Sequence, residues 1–565
     1  MVQSQSGLSA QAHPDTRARS GDAAAGTRLP IDIRRFPWIR RLAADYVFEH
    51  SRVADFFAGN PDDPAAWRDA IARTHRHARQ HDAIADLVQA QQRGRGAPEA
   101  AISATALLRD PQTVAVVTGQ QAGLFGGPLF TLLKALTAIT QAEQVRAEHG
   151  VPAVAVFWID AEDHDWDEVK ACSVLDAEMK PLSIAAGDPP HAHAGPVARV
   201  RLDESVTAAI NALEAAMPAT EFTPAVVDEL RQAYAPGTGM ADAFGRWLEH
   251  LLGSRGLIVF DASDPAAKPL VSHIFAREIE QAGLTARLAS EAGADFEARG
   301  YHAQATPQEG SLALFHLNAG RQPIKPHMGG FLVGERPESA AVLIQRVRTS
   351  PEEFSPSVLL RPIVQDTLFP TVSYVAGPNE LAYLGQLRRV YEAFSTPMPL
   401  IQHRATATIV DANAMRFLTR YDVALESLRA QDEAVLNAVL EAQLPPSVEA
   451  SLEDALRAIE QRMERLAKDV TQIDPTLEGA ARSTTSRMQD DLKKLHGKII
   501  QAAKRKDETL RRQFQNARAQ AFPAGEPQER AVGFVYFLNK YGPALVDRLC
   551  AELPVDAGTH WVVTI

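Results

Sequence analysis

The segment Val114-Ala-Val-Val-Thr-Gly-Gln-Gln-Ala-Gly-Leu-Phe-Gly-Gly-Pro128-Leu-Phe-Thr-Leu-Leu-Lys134 sets the fold class. Val114 to Val117 is a short β-branched apolar run, the pattern of a strand buried on both faces. Gly119 to Gly127 reads as a tight loop, and Pro128 as the first residue of a helix, where its missing N–H costs nothing. That helix carries Leu132, Leu133, Leu136 and Ile139 on one face and is expected to stop near Gly150. Strand, glycine-rich turn and helix N-terminus together aim backbone N–H groups and the positive end of a helix dipole at one place, which suits a phosphate or carboxylate.

Outward from this unit, Ala153 to Ile159 is a second buried strand that runs directly into Asp160-Ala-Glu-Asp-His-Asp-Trp-Asp-Glu168. Strand, helix and strand make a βαβ unit with parallel pairing, so the glycine loop and the acidic run sit on the same edge of a sheet. Further strands are expected at Gly256 to Asp261, at Thr371 to Ala376 and at Thr408 to Val410, which closes the core. After Ala376, Gly377-Pro-Asn turns into a helix starting near Glu380. The fold class is therefore α/β, with a parallel-sheet core over residues 29–410, a helical N-terminal cap, and insertions at about 169–249 and 301–345, the second β-rich. Residues 1–28 have no apolar period and are expected to be disordered. Over 411–520 the composition shifts to Ala, Leu, Glu, Lys, Arg and Gln. Apolar residues from Val448 to Ile473 and from Met488 to Ala502 recur by threes and fours, which predicts an antiparallel coiled-coil arm. Residues 521–565 return to a compact segment packing on the core or arm.

At 565 residues the chain exceeds what one hydrophobic core serves. With 58 basic and 70 acidic residues, its net charge of −12 argues against a nucleic-acid partner. No apolar run approaches membrane-helix length and the N-terminus lacks a signal-peptide core, so a cytoplasmic protein without membrane contact is expected. Cys172 and Cys550 are the only two cysteines. They are too few for a disulfide framework or a thiolate zinc site, and no zinc or other bound metal is expected.

The glycine turn lacks both the Gly-Lys-Ser/Thr ending of a P-loop and the spacing of a dinucleotide fingerprint. Its glycines either permit tight strand–helix packing or cradle an anion. Gln120 and Gln121, amide donors at a sheet edge, favour the second, with Thr118, Gly119, Gly123, Gly127, Pro128 and Lys134 as further binding candidates. Glu162, Asp163, His164 and Asp165 could form a solvated acidic turn, a divalent-ion site, or a catalytic group in which flanking carboxylates orient His164 as a base; we favour the last. Arg361, Gln365, Asp366, Gly377, Asn379, Glu380, Tyr383 and Gln386 form a polar set at a strand end. Helical spacing places Glu380, Tyr383 and Gln386 on one face. Arg404 is expected to clamp a carboxylate or phosphate, with a structural salt bridge as the alternative. The basic helix Lys493 to Arg512 reads as a solvated face. The alternative is a contact with a partner subunit or an anionic ligand, the latter together with Gln528, Arg530, Lys540 and Tyr541 as a second anion or nucleotide site.

Thr118-Gly-Gln-Gln-Ala-Gly-Leu-Phe with Gly127-Pro-Leu and Lys134, Phe157-Trp with Glu162-Asp-His-Asp, Leu360-Arg-Pro with Gln365-Asp, Tyr374-Val-Ala-Gly-Pro with Glu380, and Pro527-Gln-Glu-Arg530 together resemble the bacillithiol-biosynthesis cysteine-adding enzyme family. The resemblance runs from about Leu29 to the C-terminus, with a departure at Ser357, where the family pattern has Asn. It implies a Rossmann core related to class I aminoacyl-tRNA synthetases and a homodimer formed through the coiled coil. It also implies an amide-forming ligase that adds L-cysteine to the amine of glucosaminyl-malate in the last step of bacillithiol synthesis. ATP would be the co-substrate, acting through a cysteinyl-adenylate, and Mg2+ is compatible with it. On this reading the glycine loop holds phosphate, Glu162 to Asp165 receive the amine proton or orient ribose and amine, and Arg361 or Arg404 pairs with the malate carboxylates. The alternatives are a nucleotide-sensing dimeric scaffold without chemistry, or an amino-acid ligase with another acceptor.

Overall fold

The structure, a computed structural model, describes residues 28–317 and 320–565. The expectation of disorder over 1–28 falls almost wholly outside them. Five parallel strands form the central sheet: β1 (Val114–Gln121), β2 (Ala153–Asp160), β3 (Ile258–Asp261), β4 (Thr371–Ala376) and β5 (Leu400–His403). Their spatial order is β5-β4-β1-β2-β3. The chain thus starts in the middle, winds outward one way and returns to wind the other. The loops leaving the carboxyl ends of β1 and β4 diverge and open a crevice at that switch point.

Burial explains the apolar run that opens this unit. Val114 and Val116 enter one core together with helix α1 (Leu129–His149), whereas Ala115 and Val117 face a second core containing Ile84, Val88, Val271 and Ile274. Both faces are dry, so there is no polar alternation to see. Pro128 is the residue before α1 rather than its first, with φ −69° and ψ 162°, and Gly150 ends the helix in the left-handed conformation at φ 65°.

Three boundaries differ from the sequence expectation. The Met240–Leu252 helix, read as part of the first insertion, buries Phe244 and Trp247 completely and packs Phe244 on Phe157 of β2; it is the crossover helix to β3. The second insertion extends past 345, because Phe354–Pro356 joins its antiparallel sheet beside Leu314–Leu317. Residues Thr406–Val410 do not close the central sheet. They pair in parallel with the C-terminal strand Thr559–Thr564, whose other edge carries Arg28–Asp32. Local pattern identifies a strand but not a partner some 150 residues away.

The coiled-coil arm is shorter than expected. Its helices are Pro446–Val470 and Leu477–Lys506, packed side by side. The flanking residues form a third core instead, in which Met415, Phe417 and Leu418 meet Leu510, Phe514 and Phe522. No helix among the described residues is long and apolar enough to cross a membrane.

The inserted β-sheet is tied to the core by Glu278, whose carboxylate accepts from the Ala313 N–H (2.7 Å) and the Thr285 hydroxyl (2.5 Å). Burial pushes this carboxyl up to about 7, against those two hydrogen bonds. Between roughly pH 4.3 and 7 the native state therefore keeps a proton that the unfolded chain has released, and stability falls as pH rises through that window. Glu278→Gln is expected to gain up to about 3 kcal/mol relative to wild type between pH 5 and pH 8, read from denaturant midpoints at the two pH values.

Candidate active site

The switch-point crevice is built around one carboxylate. Glu380 opens helix α3 (Glu380–Gly385), after α2 (Arg361–Leu368) and β4. It pairs with the Lys134 ammonium at 2.5 Å and accepts from the Gly377 N–H at 2.6 Å and the Tyr374 hydroxyl at 3.2 Å. Burial alone would raise Glu380, but the Lys134 ammonium and the Gly377 N–H hold it below its ordinary value. Lys134 rises from α1 and also donates to the Gly119 carbonyl (3.0 Å) and Gln120 Oε1 (3.2 Å). Thr118 donates to the Val375 carbonyl at 2.9 Å, fixing β1 against β4 at the point where the cluster forms. Gly119 has no room for a side chain, since a Cβ there would lie 2.9 Å from the Trp158 carbonyl oxygen.

Arg361 lies beside this cluster. Its guanidinium donates to Gln365 Oε1 (3.0 Å) and the Tyr383 hydroxyl (3.2 Å), faces the Tyr374 ring, and reaches Asp160 at 4.0 Å. Lys134, Gln120, Gly377, Glu380, Arg361, Gln365 and Tyr383 are therefore brought together, as the sequence suggests.

The acidic turn after β2 is more divided. Glu162 forms a buried ion pair with Lys268. Asp165 caps the next short helix by accepting from the Glu168 N–H at 3.1 Å. Asp163 accepts from the His164 backbone N–H (2.8 Å), lies 3.0 Å from His164 Nδ1, and accepts from Arg321 at 3.0 Å. His164 is left with its side chain 66 % exposed. Arg321 comes from the inserted β-sheet and also donates to the Pro356 carbonyl at 2.9 Å, so it fastens the insertion to the acidic turn. Sequence reasoning missed it, together with Lys268, because nothing local marks a side chain that acts across 100 residues or more.

Several other candidates lie elsewhere or are already committed. The turn over Gly123–Gly127 is not an open anion cradle. Tyr234 bonds both the Gly123 carbonyl and the Gly126 N–H, and a Cβ at Gly126 would collide with the Phe534 ring. Pro128 bridges to Gly533, and Gln121 donates to Glu168 at 3.0 Å. Gln386 does not share the face of Glu380 and Tyr383. Helix α3 ends at Gly385, and the Gln386 amide turns inward to bond Ala289, Gln304 and Ala305 backbone groups. Asp366 is fully buried against Tyr391 and Gln365. Arg404 takes the structural alternative, a buried bidentate pair with Glu529 at 2.8 and 2.5 Å. Nor do Gln528, Arg530, Lys540 and Tyr541 form one site. The Gln528 amide is bonded to Ile409 and Gln520, and Lys540 lies on the Tyr536 and Tyr541 rings, whereas Arg530 and Asn379 line a separate cavity between the core and the C-terminal segment.

A doubly wound sheet with a buried ionic cluster at its switch point, joined to a C-terminal coiled-coil unit, defines a two-domain Rossmann-like protein. Residues 30–405 match the family model for the bacillithiol biosynthesis BshC N-terminal Rossmann-like domain, and residues 407–565 match that for the BshC C-terminal coiled-coil domain. The chain belongs to the BshC family. Relatives named "Putative cysteine ligase BshC" include one from Salinibacter ruber, 35% identical over 96% of this chain and 99% of its own. Another, from Koribacter versatilis, is 31% identical over 92% and 96%, and one from Symbiobacterium thermophilum is 33% identical over 84% and 88%.

The placement of Gln386 is testable. Gln386→Ala deletes the four hydrogen bonds of a buried amide and is expected to cost about 2 to 4 kcal/mol in denaturant unfolding. Ligand affinity of the folded fraction should be unchanged, in contrast to Glu380→Gln, which removes the centre of the cluster.

Proposed function

We propose that the protein is an ATP-dependent ligase that joins L-cysteine to the amine of glucosaminyl-malate, completing bacillithiol. The observation that carries this reading is the charged Lys134–Glu380–Tyr374 cluster, with Arg361 beside it, at the switch point of a chain matching both BshC domains. Amide formation in water needs an activated carboxyl group. A cysteine carboxylate oxygen attacks the α-phosphorus of ATP and pyrophosphate leaves. The acceptor nitrogen then attacks the carbonyl carbon, AMP leaves with the bonding pair, and the amine proton passes to a base.

The chain offers groups for each task. Glu380 and Tyr374 present a carboxylate and a hydroxyl suited to the α-ammonium of an amino acid. Arg361 and the free Gln120 amide N–H2 suit the negative charge that develops at the reacting carboxyl or phosphoryl oxygens. His164, with Nδ1 held by Asp163, leaves Nε2 open as proton acceptor at the carboxyl edge of β2. Mg2+ would accompany the nucleotide as substrate. The same reading includes a homodimer through the arm, supported by exposed Leu466, Met488 and Leu495 on its two helices and Ile473 in the turn between them.

The test is a reconstituted reaction with ATP, cysteine and glucosaminyl-malate, alongside cysteine-dependent pyrophosphate exchange. Wild type is expected to form the amide. His164→Ala is expected to slow amide formation by about 100-fold or more while exchange persists. Exchange with some other amino acid but not cysteine would overturn the substrate assignment, and absence of both activities in folded protein would overturn the ligase.

A further inference from the structure

The charges around the crevice are unevenly spent. Lys134 faces Glu380, Arg361 lies 4.0 Å from Asp160, Arg321 faces Asp163, Lys268 faces Glu162 and Arg404 faces Glu529. Of the two arginines expected from the resemblance to meet substrate carboxylates, Arg404 is thus fully engaged by Glu529, and Arg361 faces the reacting end of the crevice beside Glu380. Among the described residues, Arg530 and Arg429 have no carboxylate within ion-pair distance. Arg530 stacks on the Phe130 ring, its guanidinium 5.6 Å from the ring centre. Arg429 lies 4.9 Å from the centre of the Trp38 ring and bonds only the Gly525 carbonyl, through Nε.

Both line one cavity of about 250 Å³, and so do Pro378 and Asn379, the turn that leads directly into Glu380. A third group there is short of a partner: His403 is 3 % exposed, and its Nε2 is buried without a hydrogen bond. Of the carboxylates lining the same space, Glu529 is neutralised by Arg404, and Glu526 is exposed at the rim. A cavity with two unpaired guanidinium groups, an unsatisfied imidazole nitrogen and an apolar wall of Phe36, Trp38 and Phe522 has the donors for a small organic carboxylate.

We infer that this cavity is the carboxylate-binding subsite for the acceptor, with Arg530 as its anchor, Arg429 as its second cation and His403 donating through Nε2. The inference rests on the ligase reading above and adds to it where the malate arm lies. The arm enters beside Pro378 and Asn379, which places the acceptor amine toward Glu380 and the reacting carboxyl. The C-terminal segment therefore contributes directly to substrate recognition.

The test separates this from the chemistry. Calorimetric titration of the full-length protein uses L-malate, glucosaminyl-malate and, as a control without carboxylates, methyl glucosaminide. The two malate probes are expected to bind wild type. Arg530→Gln is expected to weaken both by about tenfold or more, Arg429→Gln to weaken them to a smaller extent, and neither to alter cysteine binding or the unfolding midpoint. Malate affinity unchanged in Arg530→Gln would overturn the proposal, as would displacement of malate by ADP with a matching loss of ADP binding in the variant, which would assign the cavity to phosphate. In the reconstituted assay, an unchanged acceptor KM in Arg530→Gln would overturn the subsite while leaving the ligase intact. Arg530-dependent malate binding without amide formation would support the subsite and count against the ligase.

Discussion

The charged state of Glu380 at the carboxyl edge of the sheet is the constraint on which the crevice depends. A carboxylate at this depth is costly unless several donors meet it. The structure supplies three: an ammonium from α1, a phenol from β4 and a backbone N–H from the turn that follows β4. The phenol and the N–H lie on the same segment as Glu380, but the ammonium can reach it only if β1 and β4 lie side by side with their carboxyl ends level, which the Thr118 bond to Val375 enforces. The strand order, the length of α1 and the tight turn at Gly377 are thus coupled to one ion pair. Removing Lys134 or Glu380 alone would strand a buried charge rather than delete a contact.

The C-terminal segment belongs structurally to the same centre. Phe534 covers the glycine turn, Val532 accepts from the Leu129 N–H at the start of α1, and Glu529 holds Arg404 at the end of β5. The sheet formed by Arg28–Asp32, Thr559–Thr564 and Thr406–Val410 draws both ends of the described chain to one side of the core. The two family domains consequently share their interior, and the arm projects from a base packed against the Rossmann-like unit. This explains why the turn that looks like an open phosphate loop is closed. Its glycines admit a phenyl ring and a tyrosine hydroxyl, while the open cations lie one strand further on, around Arg530.

Much of the site was legible residue by residue. Lys134, Glu380, Arg361 and Tyr383 stand out because charged or phenolic groups interrupt otherwise apolar helices that flank the strands. The same rule misled at Gln386 and Asp366, where a polar residue at a helix end is satisfied inward by backbone carbonyls or a tyrosine. Arg404 was readable only as a pair of alternatives, since its partner, Glu529, lies 125 residues away. Arg321 was not legible at all, because a β-rich insertion shows no sign of which of its arginines will cross to the acidic turn.

By itself the sequence determined the α/β class, the parallel pairing of the first βαβ unit and the existence of the arm, because apolar periodicity and glycine or proline punctuation are local properties of the chain. Tertiary structure alone decided which charges are spent and which remain open. Whether Arg404, Arg361 or Arg530 is available to a ligand depends on carboxylates that arrive from distant segments, and an ion pair leaves no periodic trace in sequence. The same holds for the glycine turn: its composition permits an anion or a packed ring, and only the position of Phe534 selects between them.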